Sequence, residues 1–206
     1  MKKLFLLLGI SALLFSCKDK KETSTSGEVT VDTLNVNKPI EAPVSDPAKD
    51  DADIRTTIKD FYTWYAKNYQ SLMGFKLYSS TKKNDMPPYK INWDEVKKLQ
   101  AYIRSSVPQL GEEFLVNQKY FLAEADSAFK VDVKDEIPYG FDYDWYTNTQ
   151  EDPEYTLTEI NKSKDWLITI DGDKATVDIK GETASVLKLA MAKENGVWKI
   201  AKIGLQ

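Results

Sequence analysis

The sequence predicts an α+β domain, with helices first and an antiparallel sheet after them. Apolar residues recur at spacings of three and four through the middle of the 206-residue chain. From Trp166 onward they alternate with polar neighbours instead. Two turn signals, Asp171-Gly172-Asp173 and Asn195-Gly196, divide that last stretch into hairpins. Helices and strands in separate runs are the α+β pattern.

The first helix is set by Ile54, Ile58, Phe61, Tyr62, Tyr65, Tyr69 and Leu72, one face of a 3.6-residue period. Asp51 or Asp53 can cap its start, and Gly74 ends or follows it. Residues 75–92 hold Pro87-Pro88 and many polar groups, and read as loop. Asn92-Trp93-Asp94-Glu95 supplies an N-cap with an acid three positions on. Trp93, Val96, Leu99 and Ile103 then make the stripe of a second helix. After Pro108, a third helix runs from about Gln109 to Phe129, with Leu110, Phe114, Phe121, Leu122, Ala125 and Phe129 on one side. Residues 130–160 carry no clear period.

Trp166, Ile168 and Ile170 alternate with polar residues, as do Ala175, Val177 and Ile179. If Asp171-Gly172 is the loop, Trp166 faces Val177; if Gly172-Asp173 is, it faces Ile179. Either register leaves the same apolar set on one face. The second hairpin turns at Asn195-Gly196. It pairs Met191 with Ile200 and Leu189 with Lys202, and puts Leu187 and Trp198 on that same face. Three helices and four strands result, in one domain over residues 51–206.

Ahead of the domain, Lys2 and Lys3 precede an apolar run from Leu4 to Phe15. That run is too short to span a bilayer, which takes about 20 apolar residues, and it reads as a secretory signal over residues 1–16. Cys17, the one cysteine of the chain, ends it in Leu14-Phe15-Ser16-Cys17. This string resembles the bacterial lipoprotein lipobox. The resemblance implies that Cys17 becomes the first mature residue and carries acyl chains, a stable membrane anchor. Lys18 after the cysteine implies the outer membrane, on the periplasmic side or at the cell surface. Residues 17–50 are then the lipidated cysteine and a polar tether with Pro39, Pro43 and Pro47, too poor in apolar groups to fold. Its reach is about 30 Å.

Composition narrows the chemistry. The formal charge is −4 with two N-terminal lysines included, which disfavours nucleic acid. There is no histidine, which removes Ser-His-Asp and Cys-His catalysis and His-ligated metals. With Cys17 acylated, no thiolate or disulfide is left. No GxGxxG, P-loop or GxSxG string is present, so no cofactor is expected. Carboxylates, Tyr, Lys and Ser or Thr remain.

The ending Gly196-Val197-Trp198-Lys199-Ile200-Ala201-Lys202-Ile203 resembles the last strand of the nuclear-transport-factor-2-like superfamily. Phe61-Tyr62-Thr63-Trp64-Tyr65 and Tyr143-Asp144-Trp145-Tyr146-Thr147-Asn148-Thr149-Gln150-Glu151-Asp152 look like segments of bacterial lipoproteins of domain-of-unknown-function family 3828. Trp145 stands where that family often has Pro, and Glu151 is inserted before Asp152. The resemblance implies a cone-like fold, helices packed on a curved sheet, over residues 54–204. It assigns no activity.

The candidate site is the acidic-aromatic stretch from Asp142 to Tyr155, with Asp142, Tyr143, Asp144, Trp145, Gln150 and Asp152 as candidate binding residues. Carboxylates spaced by aromatics suit a polar ligand held between rings. They could also ligate Ca²⁺, but the string is not an EF-hand loop, and no metal ligand set is assigned. The leading expectation is a non-catalytic module for a small polar ligand or an envelope protein. A carboxylate enzyme is the alternative, since ketosteroid-isomerase-like relatives use an Asp base beside Tyr donors, roles that Asp144 with Tyr62 or Tyr65 could take. An inhibitor or immunity protein is a third reading, with Tyr139, Phe141, Tyr143 and Trp145 at the interface.

Overall fold

The computed structural model describes residues 46–82, 86–131, 134, 137–181 and 184–204. The expected signal sequence, Cys17 and the tether up to residue 45 lie outside the described residues.

Helix α1 spans Pro47–Met73 and starts ahead of both expected caps. Asp46 is the N-cap, its carboxylate accepting from the backbone N–H groups of Ala48 and Lys49 at 3.1 and 3.3 Å. Pro47 follows in the first turn, where a missing N–H costs nothing; in the sequence it passes for a tether proline. Asp51 and Asp53 pair instead with Arg55 and Lys49 along the helix. The stripe Ile54, Ile58, Phe61, Tyr62, Tyr65 and Leu72 is buried, and Gly74 is the C-cap, as expected.

Residues 75–92 are not all loop. Tyr78–Ser80 (β1) and Tyr89–Ile91 (β2) form an antiparallel hairpin with Tyr78 opposite Ile91. Strands of three residues are too short to display alternation. The hairpin is tied down by the Ile91 N–H, which donates to Asp126 at 3.0 Å. Helix α2, Trp93–Ser106, begins after Asn92, whose side chain caps the Glu95 N–H. Helix α3, Glu112–Val131, starts later than Gln109. Gln109 and Gly111 pair instead with both backbone groups of Ile200, at 2.8 and 3.0 Å, as a short parallel flank to the sheet.

A fourth helix, α4 (Pro153–Lys162), lies inside the stretch expected to be irregular. Asp152 is its N-cap, accepting from the Glu154 N–H at 2.8 Å, and Pro153 opens the first turn. Its buried residues are Pro153, Thr156 and Ile160, so its inner face has no apolar stripe to betray it. Among the described residues the helices number four rather than three.

The sheet holds β3 (Trp166–Asp171), β4 (Lys174–Lys180), β5 (Ser185–Glu194) and β6 (Val197–Ile203), antiparallel in sequence order. The first hairpin takes the second of its two registers, Trp166 opposite Ile179, with Gly172-Asp173 as the loop. In the second, Asn195 and Gly196 both have positive φ, 51° and 80°, as a primed turn demands. Met191 faces Ile200 as expected. A bulge between Ala190 and Met191 moves Leu189 from Lys202 to Ile203. Leu187 and Trp198 lie buried with Val177, Ile179, Leu189 and Ile200. Each fully buried side chain of this kind stabilises by about 1.5–3 kcal/mol.

One charged side chain among the described residues is buried in the core. Asp50, 5% exposed in the first turn of α1, accepts from Lys193 Nζ at 2.7 Å and from Trp198 Nε1 at 2.8 Å. The Lys193 bond, then the Trp198 bond, hold its carboxyl below the usual range. No helix among the described residues is long and apolar enough to cross a membrane.

Candidate functional site

The stretch from Asp142 to Asp152 is pinned to the domain rather than loose on its surface. Trp145 donates its indole N–H to the Gly140 carbonyl. Its ring meets Phe121 edge-on at 5.1 Å and Phe141 at 4.8 Å. Gly140 has φ +77°, and a Cβ there would stand 2.3 Å from the Phe121 ring, so only glycine fits this approach. Gln150 donates to the Asp142 carbonyl at 3.0 Å and closes the loop. Asp142 itself is exposed.

Asp144 is turned inward. Its N–H donates to the Thr149 carbonyl and its own carbonyl accepts from Asn148, at 2.9 and 2.7 Å. Its carboxylate accepts from the Tyr65 hydroxyl at 2.8 Å and the Tyr146 N–H at 2.8 Å. Burial raises its pKa above the usual 3.8, partly offset by those donors. The Tyr62 hydroxyl donates to the Tyr146 carbonyl at 2.7 Å. Burial first, and Asp144 second, push both phenols well above their usual pKa, so they stay donors. The aromatic cluster is continuous: Tyr65 stacks on Phe61 at 5.6 Å and meets Tyr146 at 5.2 Å, and Tyr146 stacks on Phe114 at 5.9 Å. The structure thus brings Asp144 and Tyr65 together, as the enzyme alternative requires.

Two cavities flank this cluster. The larger, about 770 Å³, lies against β1 and the end of α1, among Leu72, Phe75, Leu77, Tyr78, Tyr89 and Phe141. The smaller, about 310 Å³, lies between α3 and the end of β6. Tyr143 and Trp145 line both. Asp142, Asp144, Gln150 and Asp152 line neither, and nor do Tyr62 and Tyr65. Of the six candidate residues, then, the two aromatics reach the cavities, while Asp144 and Gln150 fix the backbone that carries them and Asp152 caps α4.

The residue missed in the sequence is Gln118. It lies on α3 in the smaller cavity, 6% exposed. Its Nε2 donates to the Tyr146 hydroxyl at 3.4 Å, and its Oε1 is buried without a partner. Rotating the amide by 180° would orphan the nitrogen in place of the oxygen. Such an orphan costs about 1–3 kcal/mol, and a buried group of that kind calls for an explanation. A signal was available: Gln118 stands in register with Phe114, Leu122, Ala125 and Phe129, a polar residue on a buried stripe. The cavity also receives Asn117, Glu124, Tyr139, Asn148 and Lys202. Asn117 donates to the Ala201 carbonyl at 3.0 Å, and Lys202 makes no ion pair with a described residue.

Comparison with protein-family models, with curated proteins and with solved structures finds no match to this chain.

Proposed function

We propose that the protein is a lipid-anchored binding module of the cell envelope, held at the outer membrane through Cys17. Its domain takes a small polar ligand in the cavity between α3 and β6. The observation that carries this reading is Gln118. Gln118 belongs to the cavity lining, and its amide oxygen has no protein donor, so a ligand that draws the amide toward the cavity supplies the missing bond. Tyr143 and Trp145 belong to the aromatic wall, and their backbone is held by the Asp144 and Gln150 bonds. The lipobox-like ending and the single cysteine support the anchor. The bulges at Ile179/Lys180 and Ala190/Met191, which bend a sheet, support a cone of the nuclear-transport-factor-2-like kind. The carboxylate-enzyme alternative is disfavoured, because Asp144 and Tyr65 spend their bonds on each other away from both cavities.

The test is a thermal-shift screen of the full chain in detergent against small polar compounds, repeated on Tyr143→Ala. A binding module gives hits that raise Tm by several degrees and disappear in the variant. A library without a hit, or hits indifferent to Tyr143, would count against the site.

A further inference from the structure

Taking the cavity between α3 and β6 as the binding site, we propose that its ligand is a sugar of one or two rings bearing a carboxylate. The volume, about 310 Å³, is at the small end of ligand sites and has room for one or two pyranose rings. The lining is five aromatic side chains, Phe114, Phe121, Tyr139, Tyr143 and Trp145, with three amides among them. A sugar ring matches both, since its C–H faces are apolar and its rim of hydroxyls donates and accepts. Gln118 Oε1 has no protein donor and is shut off from solvent; a ring hydroxyl supplies a donor once the amide turns toward it. If the amide is turned over, the same hydroxyl accepts instead.

The charges set the ligand's direction. Asn117 is bonded to the Ala201 carbonyl, which brings the start of the α3 wall to the strand end that carries Lys202. Glu124 lies two turns further along α3, about 10 Å at 1.5 Å per residue, and accepts from the Tyr139 hydroxyl at 3.4 Å. A ligand carboxylate therefore belongs at the Lys202 end, with hydroxyls toward Glu124. A single amino acid does not fit this layout, because its ammonium and carboxylate are neighbours and cannot span that separation.

Calorimetry on the full chain in detergent, with galacturonate, digalacturonate, galactose and a dipeptide as probes, tests the assignment. The acids should bind about tenfold more tightly than galactose, weakening as salt rises. Lys202→Gln should erase that preference, bringing the affinity for the acids down to that for galactose. Gln118→Met should weaken acids and galactose alike by about tenfold; because it also removes the bond to the Tyr146 hydroxyl, a circular-dichroism melt checks that the variant is folded at the assay temperature. If the dipeptide binds and the sugars do not, and Gln118→Met abolishes it, the sugar assignment is overturned while the site stands. If no probe binds in a Gln118-dependent way and the compound screen is also empty, both fall.

Discussion

Replacing Tyr65 by Phe removes one oxygen and tests how the acidic-aromatic stretch is held. The ring stays stacked on Phe61 at 5.6 Å and against Tyr146 at 5.2 Å, so the packing term is nearly unchanged. What is lost is the 2.8 Å bond to the Asp144 carboxylate. A hydrogen bond to a charged group contributes about 1.5–3 kcal/mol. Asp144 is mostly shielded, so solvent cannot replace the bond fully. For a domain of this size each kcal/mol moves Tm by about 2–4 °C, giving a fall of about 3–12 °C at pH 7.

The pH dependence carries a sign. Burial has already raised the folded pKa of Asp144 above 3.8. Its stabilising contribution is thus complete below 3.8 and is lost as pH rises through the folded value. Losing the Tyr65 donor raises the folded pKa further and enlarges that loss. Below 3.8 the carboxyl is neutral in both proteins, and the penalty shrinks to that of a neutral bond, about 1 kcal/mol. Urea midpoints at pH 7 and pH 3.5 decide it. An equal penalty at both pH values, or none at pH 7, would refute the carboxylate–phenol bond as the anchor of this segment.

Asp50 should show the opposite slope. Its folded pKa is depressed by Lys193 and Trp198, so its contribution is present above 3.8 and lost as pH falls through the folded value; Asp50→Asn should flatten that acid limb in a Tm-versus-pH series. Asp152→Ala removes the α4 cap and should cost about 0.5–2 kcal/mol in urea, without changing affinity for any ligand of the cavity. A loss of binding at constant stability would instead place Asp152 in the site. Cys17→Ala should stop acyl labelling and release the protein from membranes, and persistent attachment would exclude the lipid anchor.

The sheet was legible because its turns specify themselves. Asn195-Gly196 tolerates the left-handed backbone, and the alternation around it leaves one face for the core. The bulge at Ala190/Met191 was not legible, because its extra residue, Ala201, is a small side chain that reads equally well on either face of a strand, although it is buried next to Ile200. Helix α4 hid for a related reason: Thr156 is buried there in place of an apolar residue. Tyr143 and Trp145, singled out by their chemistry, line both cavities. Asp144 and Asp152 were singled out by charge, yet that charge is spent on Tyr65 and on a helix cap. Gln118 was overlooked because amide side chains are common on helices, and only burial shows that this one lacks a partner.

The Asp50 contacts also fix where load enters the molecule. The chain reaches the domain at Asp46, and one helical turn later Asp50 grips Lys193 and Trp198 on either side of the last β-turn. A pull on the preceding segment passes straight into the β5–β6 ribbon instead of peeling α1 away turn by turn. The first and last elements of the described fold thus bear tension as one unit.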